Sequence, residues 1–284
     1  MNVADAMTAR EELVTVSLPG TRDDALEHLQ ERAFSSVPVV KETDDGEEFR
    51  GLVSRETLIE RPDENQLALL VEEGPTTTRE ASIEDAAALM VAEDARRVPV
   101  VDGQLEGIVT VTDVVRTIAE DQDGTAGDVE VGGLAIHTVN AVYAGTPLTV
   151  AERELFYART PYGMVLDEAG ELCGILTEVD VLDVAHVVEG EAETGESIAN
   201  EDSEWMWEGI KAVGNRYLPT RNVEIPAEPV REFMTSDVVS VSRTRTAREV
   251  ARLMLDSGVE QVPLLRGDEL VGVVRDVDLL EALR

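Results

Sequence analysis

The sequence predicts an α/β (α+β) fold made of four β-α-β-β-α units paired into two modules. Three observations lead there: one phrase recurs four times, each copy sets a turn between two apolar strands, and each ends in a strand-to-helix step. The copies read VPVVKETDDGEEFRGLVSRET (37–57), VPVVDGQLEGIVTVTD (98–113), GMVLDEAGELCGILTEVD (163–180) and VPLLRGDELVGVVRDVD (262–278). A glycine follows the turn in each: Gly51, Gly107, Gly174 and Gly272. Six residues later stands Thr57, Asp113, Asp180 or Asp278. A unit of about 60 residues buries too little surface to stand alone, so pairing is expected.

Each element follows from its own residues. Short β-rich segments lead the units: LVTVS (13–17), PTTTR (75–79), TVNAVY (138–143) and VVSVS (238–242). A helix comes next. In the second unit Ser82 stands at the cap with Asp85 three residues on, and Ile83, Ala86, Ala87 and Met90 form the apolar face. In the fourth, Thr246 caps a helix bearing Ala247, Val250, Ala251 and Met254. Asp102-Gly103, Glu168 to Gly170 and Gly267-Asp268 mark the hairpin turns. A closing helix then carries Val114, Val115 and Ile118, or Leu279, Leu280 and Leu283.

Spacing sets the expected boundaries. Pro38 to Pro99 is 61 residues and Pro99 to Met164 is 65, but Met164 to Pro263 is 99, so about 35 residues are inserted. The units are therefore expected at 1–62 (degenerate), 63–121, 122–188 and 225–284, in modules 1–121 and 122–284. The insert, 189–224, opens with the acidic run EGEAETGESIANEDSE. It continues with Trp205 and Trp207, then Met206, Ile210, Val213 and Tyr217 at helical spacing up to Pro219. An exposed aromatic patch for a protein partner or a second copy competes there with simple packing of the insert on its own module.

Composition excludes several classes. Cys173 is the single cysteine, ruling out an internal disulfide, a cysteine zinc cluster and a CxxC pair, and its apolar strand marks it as a small core residue. His28, His137 and His186 lie in different units with no ligand spacing, so no metal site is expected. No P-loop, GxGxxG or GxSxG motif occurs, and no enzyme activity is expected. No apolar run approaches the roughly 20 residues that span a bilayer, and the start, MNVADAMTAREEL, lacks a secretory apolar core. A cytoplasmic protein without membrane contacts is the expectation. The net charge is −35, from 59 acidic and 24 basic residues, of which only Lys41 and Lys211 are lysines. That pattern resembles proteins of salt-accumulating halophiles, where salt screens self-repulsion. It also opposes binding to nucleic acid.

The order β-α-β-β-α with VPVVD, a glycine-led apolar strand and a Ser/Thr-x-x-Asp step resembles the cystathionine-β-synthase (CBS) domain. Four copies resemble the γ subunit of AMP-activated protein kinase and stand-alone archaeal relatives with tandem Bateman modules. The resemblance implies regulatory binding of AMP, ADP, ATP or an S-adenosylmethionine-type ligand in clefts between paired units, with no cofactor required. A homodimer is also expected, and a regulated protein partner, reached through the Trp205 and Trp207 insert.

The residues themselves fit that chemistry. An Asp in the first turn of a helix offers two acceptors to the vicinal hydroxyls of a ribose, and a hydroxyl three residues earlier adds a further group. The pairs are Thr110 with Asp113 and Thr177 with Asp180; Asp278 keeps the acid but has Arg275 in place of the hydroxyl, and the first unit has Ser54 with Thr57. Each pair also fits an ordinary helix cap. Phosphate needs cations, which are scarce here, so Arg96 and Arg97 before Val98, Arg275, and Arg243 near Arg245 and Arg248 are the candidates. Val98, Val100 and Ile108 are the expected adenine contacts. A scaffold whose clefts have lost their ligand is the alternative.

Overall fold

The computed structural model describes residues 1–31, 36–44, 46–54, 57–58, 61, 64–121, 126–184, 186–189 and 221–284. In the first repeat, β1 (Thr8–Ala9) precedes β2 (Val16–Leu18) and α1 (Arg22–Glu31), and β3 (Ser36–Thr43) turns back as β4 (Gly46–Ser54). A short α2 (Leu67–Leu70) leads to the second repeat, which holds α3 (Ile83–Ala92), β5 (Arg97–Asp102), β6 (Gln104–Thr110) and α4 (Val111–Glu120). The third holds β7 (Ala141–Tyr143), α5 (Leu148–Ala158), β8 (Tyr162–Leu166), β9 (Leu172–Thr177) and α6 (Glu178–Val184). An antiparallel ribbon, β10 (His186–Glu189) with β11 (Arg221–Glu224), follows it. The fourth holds α7 (Ala247–Ser257), β12 (Gln261–Arg266), β13 (Glu269–Arg275) and α8 (Asp276–Leu279), which passes into a 3-10 turn at Leu280–Leu283.

Local chemistry explains these elements. Ser82 and Thr246 accept the backbone N–H of Asp85 and Glu249, and the Glu249 carboxylate returns a bond to the Thr246 N–H. Gly103, Gly170 and Gly267 turn the hairpins at positive φ of 73°, 79° and 66°, a region costly for other residues. The apolar positions of α3 and α7 predicted from periodicity are all buried.

The lead segments are shorter than the sequence implied. Of LVTVS only Val16 and Ser17 enter the three-residue β2, and TVNAVY supplies the three-residue β7, each strand parallel to one neighbour. PTTTR makes a single bridge, Thr77 to Val100, and VVSVS forms no strand, only a bridge residue at Val241. An edge position with one neighbour fixes only a few residues, so β propensity there overstates strand length. The expected helix with Trp205, Met206, Trp207, Ile210, Val213 and Tyr217 lies outside the described residues.

The glycine of each copy has a cause that the sequence did not expose. A leader segment of one repeat crosses its partner repeat and lies directly on that glycine. Thr8 of the first leader pairs with Ile108 beside Gly107, and Glu72 of the second pairs with Leu52 beside Gly51. In the same way Ile136 pairs with Val273 beside Gly272, and Thr235 pairs with Ile175 beside Gly174. Six residues upstream each leader bridges the start of the partner's first helix: Asn2 to Ser82, Gln66 to Thr21, Glu130 to Thr246, Pro229 to Pro147. The residue after each of these bridges, Val3, Leu67, Val131 or Val230, is fully buried. A Cβ on Gly107 would stand 2.5 Å from the Thr8 carbonyl oxygen, and one on Gly272 would stand 2.8 Å from that of Ile136. Close backbone approach therefore requires glycine. The exchange of leaders pairs repeat one with two and repeat three with four.

Contacts divide the chain into two compact units: Met1–Ala135 with Val241–Val262 and Val274–Arg284, and Ile136–Ser240 with Pro263–Val273. In the first, α3 and α4 pack with α7, α8 and the last 3-10 turn, burying Met90, Val115, Ile118, Val250, Met254 and Leu280. Contact grouping thus departs from a simple division at residue 121. The apolar stripe of α7 is covered by α4, so the helices of the last repeat join the second. In the second unit Val142, Leu148, Leu155, Val165, Leu176 and Val230 form one cluster, with Cys173 half-buried against it. Burial raises the Cys173 thiol pKa, as does Asp167. No helix among the described residues is long and apolar enough to cross a membrane.

Candidate functional site

The return strand of each repeat ends in a corner where it meets its closing helix. In the second repeat Thr110 caps α4, and Asp113 Oδ2 accepts from the Thr110 N–H (2.9 Å) and hydroxyl (2.7 Å). The third repeat repeats this: Asp180 Oδ2 accepts from the Thr177 N–H and hydroxyl, both at 2.7 Å. The next N–H, that of Val111 or Glu178, donates to the Arg96 or Pro161 carbonyl, which holds the preceding strand against the corner. Asp276 does the same to Glu260 in the fourth repeat. Strand register places Arg97 opposite Thr110 and Tyr162 opposite Thr177.

The corners differ at the second carboxylate oxygen. Asp113 Oδ1 takes the Arg116 guanidinium at 3.0 Å. Asp278 receives Arg275 through its backbone N–H (2.8 Å) and through Nη2 at 2.7 Å. Asp180 has no cation on Oδ1 among the described residues. In the first repeat Ser54 and Thr57 bond to each other at 2.7 Å, and Thr57 is 1% exposed, so that corner is closed by its own hydroxyls.

Several predicted ligand contacts have other duties. Arg275 is an ion-pair partner of Asp278, inside its own corner. Arg96 makes a two-point bond to Asp276, 3.2 Å and 2.6 Å, and reaches Glu260 at 3.2 Å. Burial alone would lower the Arg96 pKa, but Asp276 and Glu260 together outweigh it and raise the value. Val98 and Val100 are fully buried and Ile108 nearly so; all three are core residues, with no face open to a base. The inward side of a central hairpin strand is where the fold buries most apolar surface, so alternation marks core and ligand contact alike. Arg243 is exposed and packs its stem against Gly132. Arg245 pairs with Glu249, and Arg248 with Asp128. A separate cleft of about 560 Å³ lies at the hairpin turns of the second unit, lined by His137, Leu166, Glu171, Asp268 and Leu270, with no corner residue in its wall. Among the described residues no acid, histidine and cysteine cluster suited to a metal occurs.

Four strand-helix repeats, joined in pairs by exchanged leaders and each ending in a polar corner, define a tandem-repeat protein of paired modules. The sequence profile described as CBS domain matches residues 3–64, 71–120, 131–187 and 230–284, and the chain belongs to that family. A protein from Pyrococcus horikoshii of solved structure is 29% identical, with a TM-score of 0.70 and full coverage of both chains. Protein MJ1225 of Methanocaldococcus jannaschii, described as a candidate archaeal homologue of γ-AMPK, is 18% identical with a TM-score of 0.68, also over both whole chains. The uncharacterised protein MJ1404 of the same organism is 22% identical over 98% of this chain, which spans 61% of that relative's length.

Proposed function

We propose that this protein is a regulatory sensor of adenosine nucleotides or a related adenosyl ligand, bound at the strand-to-helix corners of its CBS repeats. The observation that carries this reading is the Thr177–Asp180 corner: the cap orients the carboxylate through Oδ2, and Oδ1 has no cation partner among the described residues. That leaves an acceptor for a ribose hydroxyl, in keeping with what CBS membership implies. Arg97, set opposite Thr110 in the ladder, is the phosphate candidate at the second corner. Ligand binding would favour one arrangement of paired repeats and so alter the surface offered to a protein partner or a second copy. The role is regulatory rather than catalytic, and the net charge of −35 disfavours nucleic acid as the ligand.

The test is mass spectrometry of small molecules released from the folded protein, with calorimetric titration of AMP, ADP, ATP and S-adenosylmethionine in molar KCl. Asp180→Asn should weaken binding about 10-fold or more, the usual loss for a charge-assisted hydrogen bond. Absence of binding by all four ligands would overturn the reading. It would favour instead a ligand-free scaffold, for which the internal pairing of Asp113 and Asp278 already speaks.

A further inference from the structure

Arg96 is the feature of the second corner that a simple binding site does not explain. Its carbonyl belongs to that corner, accepting the Val111 N–H beside Thr110. Its guanidinium belongs to the fourth repeat, held by Asp276 and Glu260. The two ends of this ion pair are unequal. The Arg96 side chain is 45% exposed, whereas Asp276 is 8% exposed. Water and solutes therefore reach the cation but not the carboxylate. Asp276 Oδ1 also accepts the Val277 N–H at 2.8 Å, so this acid is fixed in place while the arginine is the movable partner.

We propose that Arg96 is a displaceable tether: the phosphate of a nucleotide at the second corner takes Arg96 from Asp276 and thereby loosens the second repeat from the fourth. This rests on the reading of the chain as an adenosyl-ligand sensor and names its regulation. An exposed guanidinium exchanges one anion for another with the same fork geometry, because phosphate and carboxylate offer paired oxygens at similar spacing. The exchange is not neutral, since it leaves Asp276 buried without its cation. Ligand binding and separation of the two corners thus become coupled, in the second corner only. The third repeat has Pro161 where the second has Arg96, so its corner has no such tether. Adenosine, which carries no anionic group, cannot compete for Arg96 and leaves the tether closed.

Calorimetric titration of AMP and adenosine into wild type, Arg96→Gln, Asp276→Asn and the double variant tests this. Asparagine keeps an Oδ1 for the Val277 N–H, so Asp276→Asn removes the charge with the least disturbance of the fold. AMP should bind Asp276→Asn about 10-fold more tightly than wild type, within the usual range of coupling between sites, and adenosine should bind both equally. Arg96→Gln should lose the preference for AMP over adenosine, and adding Asp276→Asn to it should change nothing. Equal AMP affinity in wild type and Asp276→Asn would overturn the tether while leaving the sensor reading intact. Failure of both AMP and adenosine to bind wild type would overturn the two together. Melting curves of each variant, without ligand, show whether the fold is retained, and a double-variant cycle on AMP affinity gives the same answer from relative values alone.

Discussion

Replacing Gly107 with alanine tests the exchanged leaders directly. The new methyl would sit 2.5 Å from the Thr8 carbonyl oxygen, 3.0 Å from Met7 Sδ and 3.3 Å from Met7 Cε. Ordinary contact begins near 3.4 Å, so backbone β1 must withdraw by about 0.9 Å, whereas the methionine side chain gives way easily. Overpacking of this kind costs about 1–3 kcal/mol, and weakening a ladder hydrogen bond adds about 1 kcal/mol. A total of roughly 2–4 kcal/mol lowers the melting temperature by about 5–12 °C for a domain of this size. Differential scanning calorimetry of Gly107→Ala in molar KCl reads this, beside Gly74→Ala as control, where nothing lies within 4 Å of the added Cβ. The control should melt like wild type. A Gly107→Ala protein melting within a degree of wild type would refute the account of why this glycine recurs.

Two further outcomes follow from charge. Burial raises the carboxyl pKa of Glu152 on α5, only partly offset by Arg153, so the fold favours its protonated form. The stability this contributes is present below the unfolded carboxyl range and is lost as pH rises through the folded value. Glu152→Gln should therefore melt higher than wild type near pH 7, by roughly 1–3 °C, and the gain should vanish in scans below about pH 4.5; a gain equal at both pH values would count against it. For the whole chain, a net charge of −35 makes stability depend on screening, whose length falls from about 10 Å at 0.1 M salt to about 3 Å at 1 M. Melting temperature should climb over that range, each kcal/mol of relieved repulsion raising it by about 2–4 °C. A curve flat in KCl would show that the acidic surface carries no such penalty.

Much of the fold was legible because it is local. The caps at Ser82 and Thr246, the turns at Asp102-Gly103 and Gly267-Asp268, and the faces of α3 and α7 each depend on residues within one turn or hairpin. The lead strands were misjudged because strand length depends on neighbours that are distant in sequence. The site was half legible. Thr110, Asp113, Thr177 and Asp180 do meet at the corners. What sequence spacing could not give was the partner of Arg96: Arg116 sits one helical turn beyond Asp113, but Asp276 lies 180 residues from Arg96. A signal for the leaders existed in Val3, Leu67, Val131 and Val230, alike in place and burial, yet too short a pattern to stand out unaligned.

The repeated phrase by itself determined that this protein is four copies of one unit, where each unit turns, and which residue types stand at each corner. Those properties rest on contacts within a few residues, which a linear sequence displays. Only the tertiary structure decided why a glycine recurs inside each return strand and which acid holds Arg96. Both depend on backbone and charge arriving from another repeat, and the distance across space between two repeats is written nowhere in the spacing along the chain.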